Sequence, residues 1–105
     1  MQTTTRNEVD PAIANAAALA RAGQLAAAAS AFLAAGEAMR DWRLANEAGI
    51  CFFRLERYDD AVRCYERALA LEPTNIDVRM KKAVALALAM QCVRAIFQID
   101  PQDMP

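Results

Sequence analysis

The sequence predicts an all-α protein made of antiparallel helix–turn–helix pairs stacked side by side, on three observations. The chain of 105 residues is 56% hydrophobic, with a large share of alanine, the strongest helix former. No stretch alternates apolar and polar residues as a half-buried strand does. Apolar residues also recur in phase: Ala28, Phe32 and Ala35 return 33 residues later as Ala61, Tyr65 and Ala68, and Ala61 returns 34 residues later as Ala95. A period near 34 in paired helices marks units that cannot bury their apolar faces alone and therefore stack.

The elements follow in order from local signals. Asp10–Pro11 opens the first helix, because an aspartate satisfies free amides and proline is tolerated at the first helical position. That helix is expected over about Pro11 to Ala22, with Gly23 supplying a left-handed stop. The second, about Gln24 to Met39, carries Leu25, Ala28, Phe32 and Ala35 on one face. Asp41 caps a third helix through about Leu55. Arg57–Tyr58–Asp59 opens a fourth, which ends before Pro73 because the residue preceding a proline avoids helical geometry.

Beyond Ile76 a third pair is expected, with helices over 76–89 and 91–99. No glycine or proline lies near position 90, so the alternative is one fused rod of about 36 Å at 1.5 Å per residue. From Ala83 to Phe97 only Gln91 and Arg94 are polar. A helix apolar almost all round needs cover on more than one side. The expected organisation is a flexible segment at 1–9 and a single domain at 10–105, with repeats at about 9–40, 42–75 and an irregular 76–100.

Composition narrows the function. A formal net charge of −1 and a pI of about 5.3 provide no field that attracts nucleic acid or an anionic membrane, so neither is an expected partner. Lysine occurs only at positions 81 and 82 among many arginines, a bias that fits a GC-rich bacterial genome. Cys51, Cys64 and Cys92 are odd in number and form no Cys-x-x-Cys pair, which argues against a disulfide framework or a zinc site. They read as reduced cytoplasmic thiols packed as small core residues. Met1 to Val9 shows no secretory signal, and the longest apolar run, Ala83 to Met90, is too short to span a bilayer.

Catalysis is not expected. The chain has no histidine, which removes the commonest general base and neutral metal ligand. Its single serine, Ser30, sits in an alanine-rich helix. Asp59 and Asp60 point about 100° apart on a helix and read as charge bias at a helix start. No phosphate loop or dinucleotide fingerprint occurs, and no cofactor or metal is implied. A thiol-based redox role through Cys51, Cys64 or Cys92 is a minor alternative, with no resolving cysteine at short spacing.

Trp42 to Pro73, with Gly49, Phe52, Tyr58, Ala61, Tyr65, Ala68 and Pro73 in place, resembles one tetratricopeptide repeat. Val9 to Arg40 resembles the same unit through Ala-Gly-Gln-Leu at 22–25. The segment from Ile76 departs from it: the turn glycine and aromatic are absent at Met90–Gln91–Cys92, and Arg79 and Lys82 replace Ala45 and Ala48. Glu56 also stands where the family usually has glycine. The resemblance implies a right-handed α-solenoid of about two and a half to three repeats that binds proteins and has no reaction chemistry of its own.

In that family the first helix of each repeat lines a concave surface that receives a peptide or partner helix. On this sequence the implied lining is Arg43, Asn46, Ile50, Phe53 and Arg54 from helix three, with Asp77, Met80, Lys81 and Val84 from helix five. Apolar anchors beside cations suit a peptide carrying both hydrophobic and acidic groups. Clamps for the acidic tails of heat-shock chaperones are disfavoured, because the places of their lysine and asparagine hold Ile13 and Ala17, and although Lys81 matches one cation place of the clamp, Asp77 opposes the other.

The expected function is a bacterial cytoplasmic scaffold or adaptor. A homodimer through Leu86, Leu88, Val93, Ile96 and Phe97 is expected as well, since the apolar end needs cover. The alternative is a small secretion-type chaperone, similar to the translocator chaperones of type III systems, shielding an apolar client segment.

Overall fold

Each turn of this chain is closed by hydrogen bonds that the local sequence explains. The computed structural model describes residues 10–97, with side chains described through Arg94. Residues 1–9, and the end of the expected last helix beyond Phe97, lie outside the described residues. Five helices follow one another: α1 (Pro11–Arg21), α2 (Leu25–Met39), α3 (Trp42–Arg54), α4 (Tyr58–Leu71) and α5 (Ile76–Phe97). Each packs principally on the next, so α1/α2 and α3/α4 form two antiparallel pairs and α5 closes the stack.

The Asp10 carboxylate accepts from the Ala12 amide at 2.8 Å, with Pro11 in the first helical position. At the other end of α1, Gly23 takes a φ of 84°. The Gly23 amide donates to the Ala20 carbonyl and the Gln24 amide to the Leu19 carbonyl, the paired closure that satisfies the last carbonyls of a helix. The end of α3 repeats this pattern bond for bond, with Glu56 donating to Phe53 and Arg57 to Phe52. Here the left-handed residue is Glu56, at φ 61°. A side chain in that region costs roughly 1–2 kcal/mol that a glycine would not.

An aromatic clasp holds this strained turn shut. The Arg57 guanidinium lies 4.9 Å from the centre of the Phe52 ring, and Phe53 and Tyr58 meet edge to face at 5.2 Å. Such contacts contribute about 0.5–1.5 kcal/mol each, comparable with the strain at Glu56. Thirty-four residues later the four clasp positions hold Leu86, Ala87, Gln91 and Cys92, and the left-handed position holds Met90. Neither a glycine nor these aromatic contacts stand at those positions, so the closures at Gly23 and Glu56 have no counterpart there.

The chain accordingly runs straight on, and α5 is a single helix of 22 residues, roughly 33 Å long at 1.5 Å per residue. The expectation of separate helices at 76–89 and 91–99 is therefore corrected to the fused rod across 76–97. The described architecture is two helix pairs and one unpaired helix.

Small side chains make the interior. One cluster joins Ala16, Ala28, Ala29, Phe32 and Ala35 to Leu44, Ala48, Cys51 and Cys64. The other joins Ala45, Ala61, Val62, Tyr65 and Ala68 to Val78 and Ala85 of α5. Because α3 and α4 contribute to both clusters, this pair is the hinge of the whole stack. At its centre the Tyr65 ring lies against Gly49: a β-carbon built on Gly49 falls 2.5 Å from Cε1 and 2.8 Å from Cδ1. Only glycine admits the ring so close.

The start of α3 ties the first pair to the second. Asp41 accepts from the Arg43 amide at 2.9 Å, and its two oxygens take the Arg43 guanidinium at 3.1 and 2.9 Å. The guanidinium hydrogen bonds hold the Asp41 carboxyl below its usual value. The cap is therefore fully ionised at neutral pH and weakens only as acid carries the solution down through that lowered value.

Two substitutions separate these constraints. Gly49→Ala gains up to about 1 kcal/mol in helix propensity but forces the Tyr65 ring out of place, an overpacking cost of roughly 1–3 kcal/mol; net destabilisation is expected in urea unfolding. Glu56→Gly is expected to raise stability by about 1 kcal/mol by relieving the left-handed side chain, seen as a higher melting temperature. A neutral or destabilising Glu56→Gly would show that the turn is unstrained.

Candidate partner-binding groove

Helices α3 and α5 lie on either side of Tyr65 and leave a cavity of about 350 Å³ between them. Ile50 and Phe53 form one wall; Met80 and Val84 form the other, with Tyr65 as the floor and Asp77 and Lys81 at the rim. The volume is near the lower limit for small-molecule sites, and it suits one or two apolar side chains of a partner. Burial pushes the Tyr65 phenol up to about 12, so the floor is neutral at physiological pH.

The residues expected to line the groove divide into two groups. Ile50, Phe53, Met80, Lys81 and Val84 share this one cavity. Asn46 adjoins them, its Oδ1 lying 3.5 Å from Lys81 Nζ. Arg43 stands apart, bound to Asp41 at the start of its own helix, and Arg54 is exposed in the last turn of α3. The groove therefore owes its single cation to Lys81, which Asp77 engages at 2.7 Å. Charge at the rim is balanced, and the apolar walls dominate.

Sequence reasoning missed Tyr65 as a groove residue because it lies on the second helix of its pair. The in-phase recurrence of Phe32 and Tyr65 marked it as core, and a ring that spans the gap beside a glycine reaches both faces. Elsewhere, Asp60 is held by Arg57 at 2.8 Å and by Arg63, so this carboxylate is engaged in ion pairing at the start of α4. Arg67 and Glu37 link α4 to α2 over a second depression that includes Leu33 and Ala70.

The cysteines occupy two different environments. Cys51 and Cys64 are buried, whereas Cys92 is exposed. Burial raises the Cys64 thiol to about 11, with Asp60 adding to the effect, and burial also raises Cys51. A thiol so shifted is mostly protonated at neutral pH and a poor nucleophile. Alkylation of the folded protein at pH 7.5 should therefore modify Cys92 rapidly, and Cys51 and Cys64 only after denaturant is added. Rapid modification of Cys64 in the folded state would restore the redox reading.

The residues expected at the self-association surface also separate. Leu86 and Val93 are exposed at 42% and 52%, while Leu88 is half-buried. Ile96 and Phe97 lie in α5, but their side chains are outside the described residues. Met90, absent from the expected set, is exposed at 69%.

Among the described residues no helix is long and apolar enough to cross a membrane. Neither a curated protein nor a solved structure matched the chain. A family model, described as tetratricopeptide repeat, matches residues 46–75, the span that holds Gly49, Tyr65 and the clasped turn. Residues 46–75 are thus similar to a tetratricopeptide repeat, and they sit in a helical-repeat solenoid of five described helices.

Proposed function

We propose that this protein is a non-catalytic interaction module that holds a protein or peptide partner in the groove between α3 and α5. The observation that supports it is the apolar cavity walled by Ile50, Phe53, Met80 and Val84, built on the repeat at 46–75. Met80 and Val84 are 62% and 50% exposed, which leaves their wall open to an incoming side chain. The partner is an extended or helical segment that inserts an apolar anchor. An acidic group on that segment competes with Asp77 for Lys81.

The same reading places the protein in a reducing cytoplasm, which suits buried, unpaired Cys51 and Cys64. It excludes nucleic acid and membrane surfaces as partners on charge, and it includes self-association through the apolar length of α5, whose exposed Leu86, Met90 and Val93 favour it.

Selection from a phage-displayed random peptide library provides the test. The wild-type protein should enrich peptides with a large apolar residue. Val84→Glu, which sets a charge against that anchor, should weaken the selected peptides by about tenfold or more while leaving helicity and melting temperature unchanged. Equal binding by the variant, or no enrichment by either protein, would rule out the groove.

A further inference from the structure

The floor of the groove carries a polar atom that no described residue engages. Tyr65 is only 2% exposed. Its phenol is acted on by burial and by Cys64, Cys51 and Glu47 through space, and no hydrogen bond is among these influences. The ring is rooted on α4 and passes Gly49 of α3 with Cδ1, Cε1 and Cζ, which lie 2.8, 2.5 and 3.0 Å from the place of a Gly49 β-carbon. A side chain that crosses Gly49 in this way and lines the cavity between α3 and α5 enters it by its leading end. That end is the hydroxyl.

The fold does not require this oxygen. Phe32 stands 33 residues earlier, at the in-phase position of the first pair, and fills its core without one. In the groove, by contrast, the oxygen decides which anchor fits. An anchor apolar to its tip seals the hydroxyl away from any partner, and a buried polar group left unpaired is costly. The best occupant therefore has an apolar body and a single polar atom at its end.

Other polar tips fit less well. Asparagine and glutamine bring a whole amide between walls of Ile50, Phe53, Met80 and Val84, which offer it nothing. A carboxylate would lose its hydration there, and Lys81 at the rim is already engaged by Asp77. The walls favour an aromatic body. Phe53 provides a ring for an aromatic pair, and Met80, on the opposite wall, provides a thioether for a sulfur–aromatic contact. A phenol hydroxyl both donates and accepts, so two of them pair in either sense.

Resting on the groove reading above, we propose that the partner's anchor is a tyrosine, its ring held between Phe53 and Met80 and its hydroxyl hydrogen-bonded to the hydroxyl of Tyr65. Leucine or phenylalanine fills the same walls and forgoes that bond. The groove thus discriminates by one oxygen atom, and Tyr65 divides its labour: the ring sets the helix spacing and the hydroxyl reads the partner.

Peptides selected from a displayed random library on the wild-type protein should carry tyrosine at the anchor. The tightest of them is then synthesised with that tyrosine and with phenylalanine in its place, and both are titrated by calorimetry against wild-type protein and Tyr65→Phe. The wild-type protein should bind the phenylalanine peptide about tenfold or more weakly. Tyr65→Phe keeps the ring against Gly49, so its circular dichroism spectrum should be unchanged, and it should bind the two peptides within about twofold of each other.

Three results would count against the proposal, and they differ in reach. No enrichment, or binding that survives Val84→Glu, would overturn the groove and the tyrosine anchor together. Wild-type protein that enriches leucine or phenylalanine anchors, or binds the phenylalanine peptide equally well, would overturn the tyrosine anchor and leave the groove standing. This comparison needs no variant. Tyrosine preference that persists undiminished in Tyr65→Phe would overturn the pairing of the two hydroxyls.

Discussion

The contact between the Tyr65 ring and Gly49 is the constraint on which the rest of the structure depends. It sets how closely α3 and α4 approach, and these two helices contribute to both apolar clusters. A ring seated against bare backbone is fixed in position, and Tyr65 is only 2% exposed. From there it packs with Val78 and Ala85 of α5 on one side and forms the groove floor on the other. One side chain thus links the pair geometry, the placement of the unpaired helix and the shape of the binding surface.

A second theme is how turns are made. The α1/α2 turn uses Gly23, which reaches a positive φ without a side-chain penalty. The α3/α4 turn reaches nearly the same backbone geometry with Glu56 and offsets the strain with the Phe52–Arg57 and Phe53–Tyr58 contacts. The third unit has neither device, and its helix continues. Repeat proteins are close to one-dimensional, each unit contacting its neighbours, so losing one turn leaves the preceding pairs intact. It also exposes the end of the stack, and α5 presents there a face that a sixth helix would otherwise occupy.

The proposed function and the irregularity coincide in α5. The helix gives one face to the core, one to the groove and one to the open end, so Met80 and Val84 act separately from Leu86, Met90 and Val93. The groove is mainly apolar because its cations are otherwise engaged or absent. Arg43 serves the Asp41 cap, and Lys81 is shared between Asp77 and Asn46. Under the proposed function, selection of a partner rests more on the shape and burial of its anchor than on net charge, since exposed ion pairs add little affinity of their own.

Much of this was legible in the chain before folding was considered. Capping residues, the 33- and 34-residue phase and the alanine-rich helices determined the first four helices and their pairing, because those signals act through local backbone chemistry. Ile50, Phe53, Met80, Lys81 and Val84 could be grouped because the resemblance to the repeat family implied a lining on the first helix of each unit, and their spacing sets each group along one helical face. Tertiary structure decided what spacing cannot express. It assigned Arg43 to a cap, brought Tyr65 under the groove, separated Leu88 from Leu86 and added Met90 to the open face. It also chose the fused rod over two helices, because that outcome depends on whether a strained turn gains enough contacts across the pair, and such contacts exist only once the helices are packed.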